Sequence, residues 1–246
     1  MRARPWRAWI AATVVAGSVA GCGGGGKQHP ATSTTRAAST TAHGTSTSSA
    51  PTTAPASTTR PADAQPATAV WPFASGDVRF RDPVTAARSF ATTYLGFTSP
   101  TLGPFAQGDS RSGEVDVRPT PSGPVTTVFV RQLTRDDTWW VLGAANAHLD
   151  LQSPPALAAV SSPVTLSGRS TAFEATVNVE IRQDGTLEPL QADIVMGGSM
   201  GEMAPFSKSI AFPAPVADAG AVVLRTLSAR DGTTEEASVV RVRFAG

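Results

Sequence analysis

The sequence predicts an all-β sandwich over the C-terminal part of the chain, preceded by a small α+β domain and a disordered N-terminal tether. Three observations lead there. Period-two alternation of apolar and polar residues recurs through the C-terminal part, which marks strands. One stretch further upstream has helical spacing, with strand-like runs after it. Residues 30–62 hold 17 Ser or Thr, four Pro, eight Ala and no aliphatic or aromatic side chain larger than Ala. Such a segment has nothing to bury against the entropy of ordering it.

At the N-terminus, Arg2, Arg4 and Arg7 precede the apolar stretch Ala8 to Ala16, the layout of a secretory signal. The stretch is short of the ~20 residues that span a bilayer. Val19-Ala20-Gly21-Cys22 then resembles the lipobox of bacterial lipoproteins, with Val19 where leucine is commoner, and Cys22 is the only cysteine of the 246 residues. The resemblance implies that residues 1–21 are a removed signal peptide. It also implies that Cys22 carries lipid and that the mature protein is held at the cell membrane, facing outside the cytoplasm. Residues 22–69 read as the tether, a flexible coil whose ends would lie roughly 35 to 40 Å apart. Its Ser/Thr/Pro content permits O-glycosylation, although a bare linker is the simpler expectation.

The charge balance is near neutral, 20 Lys plus Arg against 19 Asp plus Glu. Loss of the three signal arginines leaves 17 against 19. No basic patch is visible of the kind that neutralises phosphates, so no nucleic-acid partner is expected. A single cysteine excludes an internal disulfide, and the fold must rest on burial and hydrogen bonding.

Residues 70–147 read as the α+β domain, starting near Trp71-Pro72-Phe73. Asp82-Pro83 has the form of an N-cap and first helical residue. Val84, Ala87, Phe90, Ala91, Tyr94 and Leu95 recur at helical spacing, and Gly96 stands where helices end. A Pro/Gly/Ser-rich loop is expected next, then strands over Glu114 to Arg118, Val125 to Leu133 and Thr138 to Ala147. This order of elements resembles cystatin-like and NTF2-like small folds.

Residues 148–246 read as the sandwich. Val164 and Leu166 alternate with Thr165 and Ser167. Phe173, Ala175, Val177, Val179 and Ile181 alternate with Glu174, Thr176, Asn178, Glu180 and Arg182, and Val240, Val242 and Phe244 with Arg241 and Arg243. The expectation is strands with one buried face and one wet face. Further strands are expected near 148–152, 187–196, 206–212 and 221–229, about seven in all, with turns at Asp184-Gly185 and Asp231-Gly232. Four blocks in order, Ser162 to Gly168, Phe173 to Ile181, Pro205 to Phe212 and Arg230 to Phe244, resemble the immunoglobulin-like domain of bacterial spore germination proteins. The resemblance implies an extracytoplasmic immunoglobulin-like sandwich and carries no catalytic residues over.

The motifs that carry chemistry elsewhere find little support. Gly197-Gly198-Ser199-Met200-Gly201 fits the G-x-S-x-G of a nucleophile elbow, but no histidine follows Ser199, and the flanking pattern is strand-like. A glycine-rich inter-strand loop is the expectation. Gly21, Gly23 and Gly26 match G-x-G-x-x-G by position, without the strand and helix that a dinucleotide loop needs. His29 and His43 lie in the tether and His148 at the domain junction, too few to assemble a metal site, so no metal or cofactor is expected. Asp136-Asp137 and Glu235-Glu236 read as solvated turn charge. The functional reading is a non-enzymatic binding or assembly module of the cell envelope, meeting a protein or a glycan. The alternative is an envelope hydrolase or other enzyme with an unrecognised site. The candidate binding surface is Trp139 and Trp140, adjacent on a strand and therefore on opposite faces. One indole is expected in the core beneath the helix, grouped with Val141. The other, grouped with Leu142 and Ala144, is expected exposed, packed on the sandwich, or serving as a ligand platform.

Overall fold

Asp82 starts the one α-helix among the described residues, as the sequence predicts: its carboxylate accepts from the Thr85 amide at 2.7 Å, and Pro83 occupies the first helical position. The computed structural model describes residues 66–245; the expected signal peptide, Cys22 and the expected tether up to residue 65 lie outside them. All described residues fall in the unit Ser57–Gly246. Helix α1 (Pro83–Ser89) winds on into a wider turn, Phe90–Tyr94, in which the Leu95 amide donates to the Phe90 carbonyl. Gly96 follows at φ +80°, a left-handed position that glycine fills without strain.

Twelve strands follow: β1 (Thr101–Asp109), β2 (Ser112–Arg118), β3 (Thr126–Gln132), β4 (Trp139–Asn146), β5 (Leu149–Ser153), β6 (Ala159–Val160), β7 (Val164–Ser170), β8 (Thr176–Gln183), β9 (Pro189–Met196), β10 (Ala204–Ile210), β11 (Ala219–Leu227) and β12 (Thr234–Phe244). One hydrogen-bonded path runs β1-β2-β3-β4-β12-β11-β8-β9, and β5, β7 and β10 form a layer off it. Nearly all pairings are antiparallel, the exception among named strands being β6 with β12.

Strands β11 and β12 carry a core on each face. Ala221, Val223, Ala237 and Val239 point into the cluster that holds Phe90, Tyr94, Leu95, Val115, Val128, Trp139 and Val141. Val222, Leu224 and Val242 point the other way, against Leu166, Val179, Ile181, Val195, Phe206 and Ile210. Alternation therefore holds, but the second face is covered rather than wet. Glu180, Arg182 and Arg241, expected in solvent, are buried beneath the segment that precedes residue 148. Sequence periodicity reports which residues share a face, and charge suggested the wrong environment for that face.

Other expectations change locally. The tether was expected to reach residue 69, yet Pro66–Thr68 form a short 3₁₀ turn. The Ala67 carbonyl accepts from Arg241, and Ala69 packs on Leu133 and Trp140. The loop expected after Gly96 contains β1, an edge strand, where Gly103 and Pro104 are tolerated because only one side needs a partner. Phe173–Ala175 is a turn, not strand: Glu174 and Ala175 both have positive φ, Phe173 is 65% exposed, and β8 begins only at Thr176. Leu187 begins no strand; β9 starts at Pro189.

Candidate functional site

Both tryptophans of the expected binding surface are buried. Trp139 is 9% exposed and packs edge-on to Phe105 at 5.1 Å between ring centroids, in the core beneath α1. Trp140 is 1% exposed on the opposite face, against Ala69, Leu133 and Leu142, with the Arg79 guanidinium over its ring at 4.8 Å. Its indole N–H donates to Thr138 Oγ1 at 3.1 Å. Neither indole is open to a ligand, because residues 69 to 80 fold back along β4 and cover the face that the sequence left bare. Ala144, grouped with Trp140 by strict alternation, lies instead with Trp139 and Val141. A bulge explains it: Phe129 pairs with Gly143 and Val130 with Val141, leaving Leu142 extra and shifting the phase by one.

The densest charged cluster lies where α1 ends against β8 and β11. The Glu180 carboxylate is held by Arg182 and Arg225 together. Arg182 also donates to the Tyr94 carbonyl at 2.6 Å and lies over the Tyr94 ring at 4.6 Å. Arg225 donates to the Leu95 carbonyl at 3.0 Å, and Thr234 to the same oxygen at 2.7 Å. The last carbonyls of a helix lack partners within it and carry its negative end; here two strand arginines supply both donors and charge. Burial pushes the Tyr94 hydroxyl up to about 12, against the smaller opposing pull of Arg182. This cluster fastens elements together. With both oxygens of its one carboxylate occupied by guanidinium groups, it has no group free to act as a base.

Two further ion pairs serve the same end. Arg241, 3% exposed, grips Asp184 with two nitrogens and the Ala67 carbonyl with two. His148 Nδ1 lies 2.6 Å from Glu236 Oε1, whose other oxygen accepts from Thr226 at 3.2 Å. His148 is thus at the junction, half exposed, with a carboxylate partner on β12. Ser199 lies in the loop between β9 and β10, beside Met200 and Gly201 at positive φ, as the glycine-rich reading expects. Among the described residues no group of three or more His, Cys, Asp or Glu is placed to hold a metal ion.

Sequence reasoning passed over a cluster of exposed apolar side chains at one end of the sandwich. Phe173 is 65% exposed, Met196 56% and Met200 91%. Phe173 lies in the turn before β8, Met196 ends β9 and Met200 lies in the loop after it; backbone bonds tie these segments, Ala172 N–H to Gly198 O at 3.1 Å and Gly197 N–H to Ala175 O at 3.1 Å. Their signal in the sequence was a phenylalanine and two methionines near glycines, of which Phe173 and Met196 were expected in strands and Met200 in the glycine-rich loop. Of the other exposed large apolar residues among those described, Ile194 lies within β9, two positions before Met196, and Val78, Leu157, Leu187, Val216 and Leu227 each stand on a different turn or strand end. Lone exposed apolar residues are ordinary; a cluster is not. The apolar end sits at the Thr176 end of β8, and Arg241 fixes Ala67 at the Asp184 end, so eight residues of strand, about 23 Å, separate them.

Residues 148–233 match the family model of the immunoglobulin-like domain of bacterial spore germination. No curated protein and no solved structure was found to match the chain. The match spans a little over a third of the 246 residues, and the apolar end lies wholly within it. It stops just before β12, the strand that joins the immunoglobulin-like segment to β4 through Val239 and Ala144.

Proposed function

We propose that the chain is a membrane-anchored lipoprotein outside the cytoplasm, acting as a non-enzymatic binding or assembly module of the cell envelope. The observation that carries the binding reading is the exposure of Phe173, Met196 and Met200 on neighbouring, hydrogen-bonded segments at one end of the immunoglobulin-like segment. Large apolar side chains held in water by a rigid scaffold favour association with another surface. The location rests on the signal-like N-terminus and on Cys22 at its end. Arg241 holds Ala67 at the Asp184 end of β8, the opposite end of that strand from Phe173.

Two measurements test the reading. Cys22→Ser should end labelling by a fatty-acid probe and leave an uncleaved or released species, since each buried CH₂ of an acyl chain contributes ~0.8 kcal/mol to membrane retention; persistent labelling contradicts the anchor. Phe173→Ser with Met200→Ser should reduce capture of envelope components by the immobilised chain at least tenfold with no change in unfolding midpoint. Undiminished capture removes this surface from the account.

A further inference from the structure

The path of hydrogen-bonded strands has two open ends, β1 and β9. An open strand edge offers unpaired N–H and C=O groups to any other extended chain, and folded proteins obstruct it. Edge β1 is obstructed by its own composition: Gly103, Pro104 and Gly108 interrupt it, and its register with β2 shifts twice. Edge β9 is obstructed only at its start: Pro189 is its first residue and its one register shift falls at Leu190, while Gln191 to Met196 pairs with β8 without interruption. Ile194 and Met196 are 45% and 56% exposed, so the strand also offers apolar surface to a newcomer.

Side chains occupy this edge instead. Gln191 Nε2 donates to the Ala192 carbonyl at 2.8 Å. The Ile194 amide donates to Asp193 Oδ1 at 2.8 Å, and the Ile194 carbonyl accepts from Lys208 Nζ at 3.0 Å. Residues two apart on a strand aim their backbone groups to the same side, so these three bonds close one side of β9 over adjacent positions. Lys208 reaches across from β10 in the facing layer and pairs with Asp193 at 2.6 Å, which holds the cap in place. Lys208 and the Ile194 amide keep the Asp193 carboxyl below the usual carboxylate range. Lys208 is the only lysine of the chain besides Lys27.

We propose that Lys208, seated on Asp193 and on the Ile194 carbonyl, is a guard that keeps β9 from adding a β-strand of a second copy of this chain. The second copy is the fitting occupant because antiparallel pairing of β9 with its own image about Ile194 sets the exposed Ile194 of each copy beside that of the other and each exposed Met196 beside the exposed Ala192. Removing the ammonium frees the Ile194 carbonyl and leaves the Asp193 carboxylate held by the Ile194 amide alone, and the edge becomes a template.

The test is the association state of the purified full chain with and without Lys208, read by sedimentation over a range of concentrations, with amide hydrogen exchange at residues 190–196. Lys208→Ala should at least double the sedimenting mass as concentration rises and slow exchange at the Ile194 amide. Lys208→Arg, which keeps donors on the same carbonyl, should behave as the wild type. Lys208→Ala with Ile194→Pro should revert to wild-type sedimentation, because proline at an outward-facing edge position removes the donor that a new strand needs without breaking the bonds to β8. An unfolding midpoint measured on each variant separates edge pairing from misfolding. No added association in Lys208→Ala, or association that persists with Ile194→Pro, would each overturn the proposal.

Discussion

Arg182, on β8, donates to the backbone carbonyl of Tyr94 at 2.6 Å, 88 residues earlier in the chain. That bond ties the end of the helix to the immunoglobulin-like segment, and Glu180 holds Arg182 and Arg225 side by side so that both reach the helix terminus. Glu180→Ala should leave two buried guanidinium groups repelling each other and cost about 3 to 5 kcal/mol, the usual penalty for breaking a buried ion pair by removing one partner. Urea unfolding measures it; a loss below about 1 kcal/mol would show that water replaces the carboxylate.

Trp139→Ala and Trp140→Ala should each destabilise the chain by about 3 to 5 kcal/mol, because each indole fills a buried site on its own face of β4. Chemical unfolding of the two variants, at equal slope, checks the equality. A variant with near wild-type stability would reopen that face as a surface.

Tyr94 is the chain's only tyrosine, so the rise of tyrosinate absorbance with pH reads this one group. The native hydroxyl should ionise near 12 rather than 10. Its native pKa is raised, so the stability it contributes is present below pH 10. Above that pH the unfolded chain gives up the proton while the native one keeps it, and stability falls by about 1.4 kcal/mol per pH unit up to about pH 12. Tyr94→Phe should show less loss over the same range. Equal loss in both would place the hydroxyl in water.

Gly143 sits where β4 meets β12, and a Cβ there would lie 2.5 Å from the Val239 carbonyl oxygen. Gly143→Ala should therefore cost about 1 to 3 kcal/mol through strand displacement, more than its small volume suggests. Thermal unfolding reads the effect, and an unchanged midpoint would mean that the β4–β12 junction yields freely.

The elements that local rules govern were legible in the sequence. Asp82, Pro83 and Gly96 fixed the helix limits, and Gly185 and Gly232 take the positive φ that the Asp-Gly turns promise. What local rules do not encode was missed. The wet face assigned to Glu180, Arg182 and Arg241 is buried because a segment more than fifty positions away lies on it, and a charged residue in a strand gives no sign of the partner that compensates its burial. The cover on Trp140 was missed for the same reason: Ala69 and Arg79 lie on it from outside the sheet, not the sandwich. The bulge at Leu142 moves Ala144 to the other face, and no turn residue announces it. The apolar end escaped notice because Phe173 fits the alternation of β8 although Glu174 and Ala175 break the strand.

The central claim is that the immunoglobulin-like segment is no self-sufficient module here, since β11 and β12 supply one face to each of two cores. The most direct measurement is the circular dichroism and thermal unfolding of residues 148–246 expressed alone. Without the first segment, Ala221, Val223, Ala237 and Val239 lose their apolar cover, and Glu180, Arg182 and Arg225 lose the helix end that they cap. The account predicts a fragment without a cooperative transition, while the full chain unfolds in one step. A fragment that melts cooperatively at the temperature of the full chain would contradict it.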